Sequence, residues 1–244
     1  MKTKSKALLL TLCAVLLVAA SVLGTMAYLT SSAEVKNTFT IGKVEIKLDE
    51  TDVTNPTGPR VTANSYKLMP GTTYTKDPTV TVKAGSEESY VRMKVTFNNA
   101  AALMEMLPSA DNLEDYTPEE IALIKKKIAP ILFLTNYTAV DSVWLPDINM
   151  MYGGNTVLAN PNYFVYDEQA DTVTYIFYYP VTVTATDKDV VLPAVFTEIS
   201  LPEHVTGEQL AELNNFKITV IAEAIQAGSF ANADKAWAAF APQP

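Results

Sequence analysis

The sequence predicts a mainly β protein: an antiparallel two-sheet sandwich with short helices inserted between its strands. Three observations predict it. Apolar residues alternate at period two through 90–97, 172–185 and 216–226, the spacing that turns one side of a strand toward a core. Helix signals are inserted between runs of strands rather than alternating with them, which argues against a parallel α/β sheet. With 244 residues and 48% hydrophobic content, the chain can fill one large core, and no internal repeat points to a solenoid.

The N-terminus reads as an export signal. Lys2, Lys4 and Lys6 precede a charge-free apolar run at 7–23, and Thr25-Met26-Ala27 puts small residues at the last and third-last positions before a cut. Cleavage between Ala27 and Tyr28 is expected. The alternative is an uncleaved anchor, since the apolar run nearly reaches spanning length. The expected organisation is a signal peptide at 1–27 and a single domain at 28–244, with a helical and irregular insert at 98–165. Cys13, the one cysteine, lies inside the signal, so the mature chain would have neither a disulfide nor a thiol nucleophile. Eighteen basic residues less those three lysines, against 27 acidic ones, leave the mature chain at −12. Such a surface repels phosphate backbones and anionic lipid, so no nucleic-acid partner is expected, and membrane contact only through the signal.

After the signal, Phe39 and Ile41 share one parity and Val44, Ile46 and Leu48 the other. A strand over 37–48 with a bulge at Gly42 accounts for the shift. Residues 51–63 are rich in Thr, Pro, Gly and Asn and read as a loop, and Pro70-Gly71 as a turn. Strands follow at 79–83, with Val80 and Val82 inward, and at 90–97, with Val91, Met93, Val95 and Phe97 inward; 84–88 reads as the loop between them. A helix is expected over 98–107. A second begins at Thr117-Pro118-Glu119-Glu120 and stops before Pro130. Residues 136–162 give no clear pattern.

The run 172–185 keeps Val173, Tyr175, Phe177, Tyr179, Val181 and Val183 on one parity, but Pro180 has no N–H for a ladder, so the strand lies at an edge or breaks there. Another strand or pair spans 190–199, interrupted at Pro193. Thr206 caps a short helix, 216–226 is the last long strand, and Asn232 caps a closing helix that packs Trp237 and Phe240 on the body.

Chemistry is hard to find. Zinc catalysis needs about three protein ligands, most often including histidine, and His204 is the only one. There is no His-Glu-x-x-His, no Gly-x-Ser-x-Gly elbow and no phosphate-cradling loop. Acidic loops at 111–115 and 187–189 lack EF-hand spacing, and solvated loops are the plainer reading. No catalytic, metal or cofactor site is therefore expected. Tyrosines at 163–166 and 175–179 would suit a carbohydrate platform, although strands favour aromatics for packing alone.

Four blocks in order resemble one family. Ala27, Tyr28 and Thr30 at the export junction are followed by Asn37-Thr38-Phe39, Gly42 and Val44. Next comes the run 68–97, with its Pro-Gly turn, Lys76-Asp77-Pro78 and Ser89-Tyr90-Val91-Arg92. The last is 222–227 followed by Ala236-Trp237. These resemble the exported proteins of Gram-positive bacteria processed by the SipW-type signal peptidase: the TasA biofilm-matrix proteins, the spore-associated CotN proteins and camelysin. The resemblance implies a jelly roll and a secreted subunit of an extracellular fibre or surface coat, partnered by that peptidase and by itself or related matrix proteins. Assembly by strand exchange is expected, with Phe39, Ile41, Val44 and Ile46 as anchors. The alternatives are a camelysin-like surface metalloprotease, whose zinc site this chain lacks in recognisable form, and a carbohydrate-binding surface protein.

Overall fold

The structure, a computed structural model, describes residues 6, 10–18, 43–106, 117–119, 135–136, 144 and 164–240. Contacts divide the chain into two units, Met1–Ile41 and Gly42–Pro244. In the first, residues 10–18 are helical with exposed apolar side chains, and Cys13 is exposed among them. Among the described residues no helix is long and apolar enough to cross a membrane. The expected cut between Ala27 and Tyr28 lies outside the described residues, as do residues 37–42, 107–116, 120–134 and 145–163.

The second unit is mainly β, with antiparallel sheets and a few short helices. One sheet has the order β1-β3-β8, from β1 (Ile46–Asp49), β3 (Thr79–Val82) and β8 (Val190–Val191). A larger one runs β10-β4-β6-β5, from β4 (Ser86–Asn98), β5 (Phe164–Asp167), β6 (Thr172–Tyr178) and β10 (Ile218–Gln226), with β7 (Val183–Ala185) also paired to β4. β2 (Thr73–Thr75) and β9 (Glu198–Ser200) pair with each other. The helices are α1 (Ala100–Glu105), α2 (Gly207–Glu212) and α3 (Ala233–Ala239).

Alternation decides what is buried. Val80 and Val82 of β3, Val91, Met93, Val95 and Phe97 of β4, and Val173, Tyr175 and Phe177 of β6 all enter one core, joined by Leu192, Val195, Phe196 and Trp144. Each such side chain taken from water contributes roughly 1.5–3 kcal/mol, so this shared core is the main source of stability in a domain without a disulfide. Phe97 and Tyr175 meet edge-on at 6.0 Å, and Trp144 meets Tyr179 at 5.2 Å while its indole N–H donates to Pro193 O at 2.8 Å.

Local chemistry sets the punctuation. Thr72 N–H donates to Met69 O at 3.2 Å across Pro70-Gly71, and Gly71 takes φ +72, which a side chain would disfavour. Thr206 and Gln209 form a reciprocal capping box on α2, and Asn232 caps α3 through Lys235 N–H. α3 then lies on the outer face of the large sheet. Its Trp237 ring stands 4.2 Å from the Arg92 guanidinium and 5.9 Å from Tyr178, and Phe240 stands 5.1 Å from Arg92.

Several expectations needed correction. β4 begins at Ser86, inside the stretch read as a loop. Ser86 pairs with Ala185 and Ser89 with Val183, with a register shift between them, so polar residues continue the strand toward β7. β2 was hidden in the residues after the Pro-Gly turn, because three residues are too few to show a period. Pro180 breaks the 172–185 run into β6 and β7, and Val181, expected inward, is 58% exposed at the break. The 98–107 helix shortens to α1 because Asn99, at φ 54, occupies its N-cap. Of the helix expected from Thr117, residues 118–119 are helical and the rest lies outside the described residues.

Candidate assembly groove

Two strand edges are left open next to each other. β1 pairs only with β3, and β10 only with β4, among the described residues. β1 and β10 approach each other without forming a ladder, and a cavity of about 260 Å³ separates them, lined by Leu48, Asp49, Glu50, Pro78, Ile218 and Val220. A second cavity of about 580 Å³ continues it past Tyr66, Leu68, Leu213, Phe216 and Ile218. Ile218 and Val220 are only half-buried although they share the parity of the core, as is Leu48 opposite. The groove is mixed in lining, with Leu48, Ile218 and Val220 beside Asn64, Lys76 and Thr219, and it is flanked by two strand edges that have no ladder partner among the described residues, a feature that can accept an added strand.

The wall beside β1 is held by charge. Glu50 and Val61 exchange backbone hydrogen bonds of 2.8 Å, which fold the 51–63 loop back. Arg60 then reaches Asp49 at 2.6 Å, Asp77 at 2.8 Å and the Thr79 hydroxyl at 2.9 Å, while Asp77 also accepts from Thr51 N–H at 2.7 Å. Burial alone would raise the carboxyls of Asp49 and Asp77. Hydrogen bonds and nearby positive charge outweigh it, from Lys47 and Arg60 for Asp49 and from Arg60 and Thr51 for Asp77, so both sit below the usual carboxylate range. Arg60 is correspondingly raised, its losses to burial being exceeded by Asp77 and Asp49. Burial, with Glu50 nearby, pushes the Tyr66 phenol up. Where the two cavities join, Lys76 and Glu50 pair at 2.6 Å with side chains 9% and 7% exposed.

The expected anchors divide. Phe39 and Ile41 lie outside the described residues. Val44 is half-buried just before β1, where Lys43 O and Glu45 O accept from Glu87 N–H and Lys83 N–H, each at 2.9 Å. Ile46 pairs with Val82 and packs on its own core. Both therefore sit on the body that owns the groove.

The other candidates are dispersed. His204 is exposed in the loop before α2, its Nε2 3.0 Å from Met106 O. Among the described residues no group of three metal-ligating side chains converges. Asp189 pairs with Lys83 and accepts from Ala84 N–H at 2.9 Å, and 111–115 lies outside the described residues. Tyr175 points into the core with Tyr166 and Tyr179 packed against it, Tyr178 lies on the outer face with Trp237, and Tyr163 is outside the described residues. The groove itself was missed from sequence.

Comparison of the chain with protein-family models, with curated proteins and with solved structures returned no match.

Proposed function

We propose that this chain is an exported structural protein, a subunit of an extracellular fibre or surface coat of the TasA-like kind, with no enzymatic role. In this reading residues 1–27 are removed by a SipW-type signal peptidase, the product is secreted, and the two larger sheets form a jelly-roll-like sandwich. The N-terminal segment before Lys43 then adds to the open edge of β10 in a neighbouring copy, with Phe39 and Ile41 as its apolar anchors. The observation that carries the reading is that β1 and β10 each present, among the described residues, an open edge beside the same groove. A strand added along one of these edges would gain backbone hydrogen bonds there, and Val44 and Ile46 would serve as the fixed hinge from which the donor leaves. The acidic mature surface and the lack of thiols suit a body that stays soluble until its edges are filled.

Electron microscopy with sedimentation, on residues 28–244 across a concentration series, tests this. Fibres or long oligomers are expected, and they should be lost when residues 28–42 are deleted. Oligomers unchanged by that deletion would remove the N-terminal segment from the assembly, and a monomer at every concentration would refute self-assembly.

A further inference from the structure

The loop after β1 returns Asn64 to the buried Glu50–Lys76 pair, where one carboxylate holds two nitrogens. Glu50 Oε2 accepts from Lys76 Nζ at 2.6 Å, and Glu50 Oε1 from Asn64 Nδ2 at 3.0 Å. The amide is oriented at both ends: its Oδ1 accepts from Val53 N–H at 3.1 Å, and its Nδ2 donates to Thr51 O at 2.8 Å. The Tyr66 ring lies 5.9 Å from Nζ, and Lys76 and Glu50 are 7% and 5% exposed.

An amine, a carboxamide and a carboxylate in hydrogen-bond contact with both are the parts of a transamidation. We propose that Lys76 and Asn64 join in an intramolecular isopeptide bond, with Glu50 as the proton carrier. Lys76 passes one Nζ proton to Glu50 Oε2, 2.6 Å away, which gives the neutral amine the attack needs. The amine attacks Asn64 Cγ, and the developing charge on Oδ1 falls on Val53 N–H. The Nζ–Cγ bond forms and the Cγ–Nδ2 bond breaks. Two of the three Nζ protons pass through Glu50 to the departing nitrogen, which leaves as ammonium, and Glu50 returns to its carboxylate. No oxidant or other reactant is needed. The product ties the loop wall of the groove to the segment between β2 and β3, and it stands whether or not the chain polymerises.

Mass spectrometry of the purified full chain tests it. Trypsin cuts after free lysine, so residues 61–67 and 68–83 are expected as one branched species about 17 Da (one ammonia) below the sum of the two peptides. Lys76→Arg and Glu50→Ala should release separate, unmodified peptides. Glu50→Gln, which preserves the side chain's shape, should do the same should the alanine variant fail to fold. Separate wild-type peptides with cleavage after Lys76 would overturn the bond. A loss confined to 61–67 would mark a succinimide at Asn64 and overturn it equally, and a bond persisting in Glu50→Gln would overturn the role of Glu50.

Discussion

β4 and β10 run antiparallel from Ile218 opposite Phe97 to Gln226 opposite Ser89, and their inward residues meet different surroundings. Val91, Met93, Val95 and Phe97 of β4 are 0–1% exposed, whereas Ile218, Val220, Ala222 and Ala224 of β10 remain half-buried. Sequence alternation is equally good in both. The difference lies in neighbours: among the described residues β4 has a strand on each side, and β10 has β4 on one side and the groove on the other. Burial in a sheet is thus a property of the strand's position as much as of its pattern.

The sharpest way to break this comparison is to charge the open side. Under the assembly proposal, Val220→Lys should abolish fibres while the purified body keeps a cooperative thermal transition, because a half-buried ammonium can still reach water but an added strand would bury it. Sedimentation alongside thermal unfolding separates the two effects. A variant that still forms fibres would move the acceptor away from β10.

The next effect is on stability. Phe97→Ala should cost about 3–5 kcal/mol through lost transfer energy and the cavity left in a sealed core. Val220→Ala, two residue pairs along the same ladder, should cost about 1 kcal/mol or less, since solvent already reaches it. Denaturant unfolding of both would show equal losses if β10 were as enclosed as β4.

The outer face offers a smaller contrast. Arg92 is held by Glu223 at 2.5 Å and roofed by Trp237 and Phe240, while Lys94, two residues on, meets Glu223 at 2.5 Å without that roof. Arg92→Ala leaves a carboxylate that is 8% exposed with half its charge compensation and removes the seat of α3, so about 2–3 kcal/mol is expected. Trp237→Ala should cost about 1–2 kcal/mol and loosen α3 alone, visible as faster amide exchange in 233–239.

How much of this was legible follows the same logic. The 90–97 strand could be read because four inward residues repeat at period two, and α2 because Thr206 and Gln209 stand three apart. β2 has three residues, too few to show any period, and is a strand only because β9 lies beside it, whereas β8 falls in the 190–199 run expected to hold a strand. The groove was not legible, since nothing in Ile218 or Val220 reveals how many strands flank theirs. Nor was the Asn64, Glu50 and Lys76 cluster, whose members are 12 and 14 residues apart and meet only because Glu50 and Val61 close the loop.

That loop supplies the mildest test, in which pH separates the groove wall from the core. Asp49 and Asp77 have folded values below their unfolded ones, so they stabilise the fold fully above an unfolded carboxylate value of about 3.9. Their contribution is lost as pH falls through the depressed folded values. Arg60 remains charged throughout this range, so the carboxylates alone titrate. Replacing Arg60 by Met should lower stability by on the order of 1 kcal/mol at pH 7, because the guanidinium is itself one-third exposed, and the penalty should shrink as pH drops below about 4. The packing of Phe97 and Phe177 carries no such dependence, so Phe97→Ala should keep its cost through the same titration. If the Arg60→Met penalty were also constant from pH 7 to pH 3, the wall would be held by the packing of the arginine stem, and the electrostatic account of the loop would fall.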